Sequence, residues 1–350
     1  MFFSNKKIIG LDLGTSSIKL SEMTINKNGT ATLENFTFIS TPSEALNNNE
    51  IVDSFLLGEV IKSGLKEHKF QRKNVCVGMW GTAAMVKKIS MPKVDPKLLR
   101  DQIKYEAQQY LPFEISQVTL QYHVLPFATQ QDLMDVLIIA GQNEFVTKYV
   151  EIVRYAGLKP TIIDVSCLAL SNIFEFNYGK LNEPVALFNF GNNSTQFVVV
   201  FRGEVVFARD IPVGGFHFTN EISKSMGVTL EEAESLKISG AQTKESPEGT
   251  RTSMDVAIDY VTEEVKNSIE FYTSSGGDLQ ITKAFFTGGA SLTVGLIDHL
   301  QKELKISFEE INPLLKIQSN NKKLSGQYLK EISPFMAVSL GLALRQTGDA

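Results

Sequence analysis

Between residues 8 and 20 the chain reads IIGLDLGTSSIKL. An apolar run ends in Asp12, a turn of Gly14, Thr15, Ser16 and Ser17 follows, and Lys19 comes just after it. Small residues in a turn let backbone N–H groups approach an anion, and Ser and Thr hydroxyls add donors for phosphate oxygens. A carboxylate at the strand end can hold a hydrated divalent cation. Residues 185–197, VALFNFGNNSTQF, repeat the pattern: Gly14 falls on Gly191, Ser17 on Ser194 and Asp12 on Asn189. Two such turns facing each other across a cleft can clamp a triphosphate from both sides. A third segment, AFFTGGASL at 284–292, reads as a buried strand, the turn Gly288-Gly289, and a helix with Leu292, Leu296, Leu300 and Leu304 at helical spacing. Glycines at a strand-to-helix junction admit a flat ring or a phosphate.

Each of the first two segments must be carried by a hairpin. In the first copy the second strand sets Ile18, Leu20 and Met23 against Lys19 and Glu22; in the second, Phe197–Phe201 is more uniformly apolar. A third strand follows each, Ala31–Phe38 after Asn28-Gly29 and Val205–Arg209 after Arg202-Gly203, where hairpin turns need such residues. Strands and helices alternate through most of the chain, which predicts an α/β protein. Asp95-Pro96 opens a helix as N-cap and first-turn proline. Its apolar face is Leu99, Ile103, Ala107 and Tyr110, and Pro112 ends it. After a strand at Val136–Ala140, Asn143 caps a second helix with Val146, Val150 and Val153 inward and Gly157 at its C-terminal cap. Residues 86–157 thus read as a small α/β insert. Thr229 and Glu232 form a capping box for the helix that carries Glu234 and Lys237. Residues 241–252 read as a loop, and the long helix after them turns Ile258, Val261, Val265, Ile269 and Tyr272 inward.

At 350 residues the chain suits two lobes rather than one core. Lys plus Arg number 34 against 39 Asp plus Glu, a net charge of -5, which argues against binding a nucleic-acid backbone. Cys76 and Cys167 sit in apolar surroundings and read as buried thiols. The four histidines, His68, His123, His217 and His299, form no i,i+4 pair, so side chains alone build no metal site. Phe2 and Phe3 are followed at once by Lys6 and Lys7, so they read as packing at a strand start rather than as a leader. The apolar run Val136–Ala140 is far short of the roughly 20 residues that span a bilayer. A soluble, cytoplasmic protein is expected.

Gly10-Leu11-Asp12-Leu13-Gly14-Thr15-Ser16 resembles the first phosphate motif of the actin/hexokinase/heat-shock-chaperone superfamily. Residues 185–197 resemble its second, Thr287-Gly288-Gly289-Ala290 its adenosine motif, and Asp164–Phe174 and Ser333–Leu344 its two connecting helices. Outside these motifs, Ile103–Phe113 (IKYEAQQYLPF), Ala156–Pro160 with Ile163–Val165, and Glu231–Lys237 (EEAESLK) resemble the PilM family of actin-like proteins of type IV pilus assembly, relatives of FtsA. The resemblance runs from about residue 6 to residue 345.

It implies an actin-like two-lobed fold of duplicated ribonuclease-H-like domains with a small α/β insert of the FtsA/PilM type. The first lobe would take residues 1–85, 158–184 and 332–350, the insert 86–157, and the second lobe 185–331, with 213–275 its outer subdomain. It also implies ATP and Mg²⁺ as ligands. The cofactor contacts would be Gly14, Thr15, Ser16, Ser17, Lys19, Gly191, Asn192, Asn193, Ser194, Glu234, Lys237, Gly288, Gly289 and Ala290. Asp12, through water, and Asn189 would face the metal, and Asp12 and Asp164 are the acidic candidates for catalysis. The implied partner is the N-terminal cytoplasmic tail of an inner-membrane protein, PilN-like, in a groove between the first lobe and the insert near Tyr105, Tyr110 and Phe113. Contact with the membrane would be indirect, and self-association is left open.

The chain departs from the superfamily where hydrolysis is served. Asn189 stands where an acidic residue is usual, and Asp164-Val165-Ser166 lacks the Glu or Gln expected nearby. ATP bound with slow or absent turnover is therefore expected. A small-molecule kinase of the same superfold would need an acidic base near residues 188–190. A filament of the FtsA or MreB kind is the other alternative. FtsA usually ends in a membrane-binding helix, whereas here Thr347–Ala350 follow directly on the last helix. A module that binds no nucleotide would not need Gly14, Thr15, Ser16, Gly288 and Gly289.

Overall fold

Two hairpins of the same design start the two halves of the chain. The computed structural model describes residues 7–346 apart from 27, 48–49, 129–130, 241–247, 276–278, 320 and 322–323. Phe2, Phe3, residues 241–247 of the predicted loop and Thr347–Ala350 lie outside the described residues. The first hairpin joins β1 (Lys7–Leu13) to β2 (Ser17–Ile25), and β3 (Ala31–Ser40) follows a turn with Gly29 at φ +80°. A small hairpin, β4 (Leu46–Asn47) with β5 (Glu50–Ile51), leads into α1 (Ser54–Glu67), whose first turn is capped by Asp53 accepting from Leu56 N at 2.8 Å. Then come β6 (Asn74–Met79), β7 (Ala84–Pro92), α2 (Leu99–Gln108), β8 (Val118–Val124), β9 (Leu133–Gln142), α3 (Asn143–Tyr155), β10 (Lys159–Val165) and α4 (Ser166–Tyr178).

The second half repeats the order with β11 (Val185–Phe190), β12 (Thr195–Phe201) and β13 (Glu204–Ile211), turning at Arg202 and Gly203 with φ +54° and +82°. Helices α5 (Gly215–Met226), α6 (Leu230–Gly240) and α7 (Glu248–Ser274) lead to β14 (Lys283–Thr287), α8 (Leu296–Leu304), β15 (Ser307–Glu310), β16 (Ile317–Ser319), α9 (Gly326–Ile332) and α10 (Ala337–Ala343).

The sheets carry the duplication. One runs β10-β6-β1-β2-β3-β16 and the other β15-β14-β11-β12-β13. In both, an antiparallel meander lies beside two parallel strands, and β16 crosses over to pair with β3. This is the actin-like two-lobed fold. A third sheet, β7-β9-β8, carries α2, with Ile103 and Ala107 packed on Ile89, Val136 and Ile138. Helices α1 and α3 cover one face of the first sheet, while α10 and α4 fill the other face, toward the second sheet. No helix among the described residues is long and apolar enough to cross a membrane.

Several expectations change in detail. Glu22 is buried, not on an open face, because the first sheet is covered on both sides; it pairs with Arg72 at 3.5 Å and accepts from Gln71 N at 3.2 Å. Asp95 caps a turn ahead of the helix, accepting from Lys97 N, so α2 begins at Leu99, and Tyr110 lies beyond its end and is exposed. Asn143 does not cap α3: its oxygen accepts from Thr119 and its amide donates to Ser116 O. That helix, read as part of the insert, buries Tyr149, Ile152 and Val153 in the core under the first sheet. Gly157, at φ +71°, does end it. Residues 248–252 open α7 instead of continuing the loop. The helix after Gly288-Gly289 is broken by Gly295 at φ +86°, so Leu292 sits in a short 3₁₀ turn and is exposed, while Leu296 and Leu300 are buried as expected. The capping box forms, with Thr229 N donating to Glu232 at 2.9 Å and Glu232 N to Thr229 Oγ1 at 3.2 Å. Cys76 and Cys167 are both buried, as expected.

Candidate functional site

A cleft of about 550 Å³ lies where the two hairpin turns meet the turn after β14. All fourteen proposed cofactor contacts line it, with Asp12 and Asn189. The first turn is tight: a Cβ on Gly14 would stand 2.6 Å from Ser17 O and 2.8 Å from Lys19 Nζ. Glycine thus lets the turn close and the lysine cross it. Thr41, at the end of β3, braces the turn by donating its hydroxyl to Gly14 O at 2.7 Å and its N–H to Ser16 O at 3.0 Å. The second turn matches, since a Cβ on Gly191 would stand 2.7 Å from Ser194 O. Gly191 N donates to Ser194 O at 3.0 Å, and Asn192 donates to Asn193 Oδ1 at 2.6 Å.

Gly288 and Gly289 serve a closer neighbour than a ligand. A Cβ on Gly288 would meet Phe190 O at 2.4 Å, and one on Gly289 the Phe335 ring at 2.6 Å. The third motif is thereby pressed onto the second turn, and Gly288 N and Thr287 Oγ1 both donate to Pro334 O. Across the cleft, Glu234 and Lys237 on α6 pair at 2.7 Å, Thr219 donates to the same carboxylate oxygen at 2.5 Å, and Lys237 also reaches Gly215 O at 3.2 Å.

Asp12 ends β1 opposite Lys19 in register, with the charges 3.6 Å apart. Burial raises its carboxyl above the usual range, and the Lys19 ammonium works against that rise. In the second hairpin the same register sets Asn189 opposite Gln196, and Asn189 donates to Gln196 Oε1 at 3.0 Å. The oxygen of Asn189 therefore turns toward Gly288, 2.5 Å from where that residue's Cβ would be. Among the described residues no cluster of three His, Cys, Asp or Glu side chains is arranged to hold a metal. Among the described residues the carboxylates that line the cleft are Asp12, at the first turn, and Glu234, on α6.

Asp164 is not on the cleft wall. Strand β10 runs through it to Val165, so the predicted connecting helix starts later, and the carboxylate pairs with Arg345 Nε at 2.9 Å. Tyr105 and Tyr110 are exposed on the insert, whereas Phe113 is half-buried against its core. Sequence reasoning missed other features of the site. Trp80 and Gln196 line the cleft, and the Trp80 indole donates to Leu13 O at 2.7 Å. Ser166 lines it from the first turn of α4. Gly214 and Gly215 back the second turn, where Gly215 N donates to Gly191 O at 2.9 Å and Phe216 N to Asn192 O at 2.8 Å. The adjacent glycines after β13 were the signal for that last contact, a close approach of two backbones.

A family model described as Type IV pilus assembly protein PilM matches residues 10–347. The PilM-PilN type IV pilus biogenesis complex contains a chain that superposes with TM-score 0.86 and 26% identity, over 98% of this chain and 99% of that one. MreB5 of Spiroplasma citri bound to ADP superposes with TM-score 0.50 at 15% identity, over 89% of this chain and 93% of that one. The cell division protein FtsA of Bacillus subtilis (strain 168) is 31% identical over 100 residues, 29% of this chain and 22% of FtsA's own length.

Proposed function

The chain belongs to the family of type IV pilus assembly protein PilM, and from that premise we propose that it is a cytoplasmic ATP-binding adaptor for the tail of an inner-membrane partner. The observation that carries the reading is the convergence of two like glycine turns, one from each half of the chain, on one cleft. N–H groups of Gly14–Ser17 and Asn192–Ser194 take the phosphates from opposite sides, and Lys19 supplies positive charge beside them. Glu234, Lys237 and the turn Gly288–Ala290 bound the nucleoside end. Mg²⁺ arriving with the nucleotide would neutralise phosphate charge, with Asp12 holding its water.

Turnover is slow or absent in this reading. Asn189 carries no charge and is tied to Gln196, so it cannot serve as a base. Asp164 is held by Arg345 away from the cleft wall. ATP then acts as a structural ligand, joining the lobes made of residues 1–85, 158–184 and 332–350 and of residues 185–331. The partner is the N-terminal cytoplasmic tail of a PilN-like protein, consistent with the similarity to the chain of the PilM-PilN complex. Tyr105 and Tyr110, exposed on the insert of residues 86–157, are the candidates for contacting it.

Calorimetric titration with ATP and with a synthetic tail peptide, run beside a phosphate-release assay, tests the proposal. Binding of both ligands with release slower than about one phosphate per minute is the expected result. Turnover of several per second would make the protein an enzyme, and absence of ATP binding would end the nucleotide reading while leaving the peptide arm to be judged by itself.

A further inference from the structure

A second cavity, of about 540 Å³, opens between the insert and the second sheet and shares no lining residue with the cleft. Its wall on one side is β7 and Phe127; on the other it is β13, the end of β12 and the end of α7. Five aromatic rings line it: Phe127, Phe201, Phe207, Phe271 and Tyr272. They interlock, Phe127 edge-on to Phe201 at 5.3 Å, and Phe207 packed on Tyr272 at 5.3 Å and on Phe271 at 6.2 Å.

Two cations stand over this aromatic wall, and a third lines the cavity with its ammonium turned to a ring outside it. The Arg209 guanidinium lies 4.8 Å from the centre of the Phe271 ring, and that of Arg202 lies 4.9 Å from Phe201. Lys87 lines the cavity from β7, with its ammonium 5.4 Å from the Tyr110 ring. Among the described residues none of the three has a carboxylate within ion-pair distance, in a chain of net charge -5. The one acid in the lining, Asp135, is buried and already engaged by Lys88 at 3.4 Å and by the Ser90 hydroxyl at 2.5 Å. A guanidinium stacked on a ring keeps its N–H edge free to grip an anion.

We propose that this cavity is a binding site for a small aromatic anion, one whose flat apolar body packs on the Phe207–Phe271 wall while its acidic group meets Arg209. A neutral apolar ligand would cover the cations without compensating them, which costs free energy. An inorganic anion would leave the rings without a partner. A cavity of this volume is the size that encloses a ligand of drug-like dimensions. The proposal is independent of what the nucleotide cleft binds.

The test uses the full chain and the fluorescent probe 8-anilinonaphthalene-1-sulfonate, with N-phenyl-1-naphthylamine as its uncharged counterpart. Saturable binding of the sulfonate is expected, weakened about tenfold or more by Arg209→Glu, which reverses a charge-assisted contact. Phe271→Ala, at a half-exposed ring whose loss leaves the core intact, should also weaken it. The uncharged probe should bind at least about tenfold more weakly to the unaltered protein. Unchanged melting temperatures for both variants show that the fold persists. Equal binding of the two probes, sulfonate binding indifferent to Arg209→Glu, or no binding at all would each overturn the proposal. Displacement of the sulfonate by one equivalent of the partner's tail peptide would overturn it too, since the cavity would then be a protein-docking site.

Discussion

Gly191 shows how a single hydrogen atom can set the geometry of a ligand turn. A methyl there would meet Ser194 O at 2.7 Å, and the clash is with backbone, so no rotamer relieves it. Gly191→Ala is expected to cost about 1–3 kcal/mol of stability and to lower ATP affinity at least about tenfold, read by melting and by titration. Asp210 offers a second test, in pH. It accepts from Gly81 N at 2.6 Å, linking β13 to the loop after β6, and burial raises its carboxyl from the ordinary 3.8. A raised value means that the folded protein holds the proton more tightly than the unfolded chain. The associated stability is complete below the unfolded value and is lost as pH climbs through the folded one. Asp210→Asn keeps an acceptor for Gly81 N but never ionises. It should melt above the parent at pH 7, and the gap should close as pH falls toward 3.8. The glycines of the cleft were readable because turns constrain residue type locally. Trp80, Gln196 and Asp210 were not, because each matters through a partner more than 60 positions away or through a cross-strand register that no short motif encodes.

At the level of elements, periodicity found the strands and most helices but not which layer each helix joins. The apolar face of α3 reads the same whether it packs on the insert's sheet or on the first sheet; Ile152 and Tyr155 decide it by meeting α1, where Gly58 would carry a Cβ 2.2 Å from the Tyr155 side chain. Glu22 was misread for a related reason, since a charged residue in an alternating strand looks exposed until a partner such as Arg72 arrives from elsewhere. The same close-approach logic governs α10, lodged between β1 and α4. A Cβ on Gly10 would stand 1.9 Å from Ser339 O, and one on Gly341 would stand 1.9 Å from Ala169 O. Both obstacles are main-chain carbonyls, so neither side can yield without moving a helix. Gly341→Ala should therefore shift α10 off α4 and cost about 3 kcal/mol or more. The same change at exposed Gly326, where no atom lies within 4 Å of the added methyl, should be nearly neutral. Comparing the two variants by denaturant titration checks the claim, and equal midpoints would refute it.

For the whole molecule, the decisive fact is that the buried apolar cluster does not stop at either lobe. It runs from Met23, Leu33 and Phe36 on the first sheet, through Leu170 and Phe174 of α4 and Leu340 of α10, to Phe188 and Phe197 on the second. A shared core of this kind couples the unfolding of its two sides, so one calorimetric transition is expected rather than two. A ligand bridging the turns at Gly14 and Gly191 binds that joined state alone and must shift the transition as a unit. At a hundred times its dissociation constant, ATP would stabilise the fold by about 2.7 kcal/mol, which for a chain of 350 residues is a rise of about 4 °C. Because the clamp needs both sides, Lys19→Ala in one hairpin and Gly191→Ala in the other should each remove about half or more of that rise at fixed ATP. The double variant should lose little more than either single one, the mark of residues that act on one ligand. Two separate transitions, or an ATP effect confined to one of them, would show that the lobes bind and unfold independently.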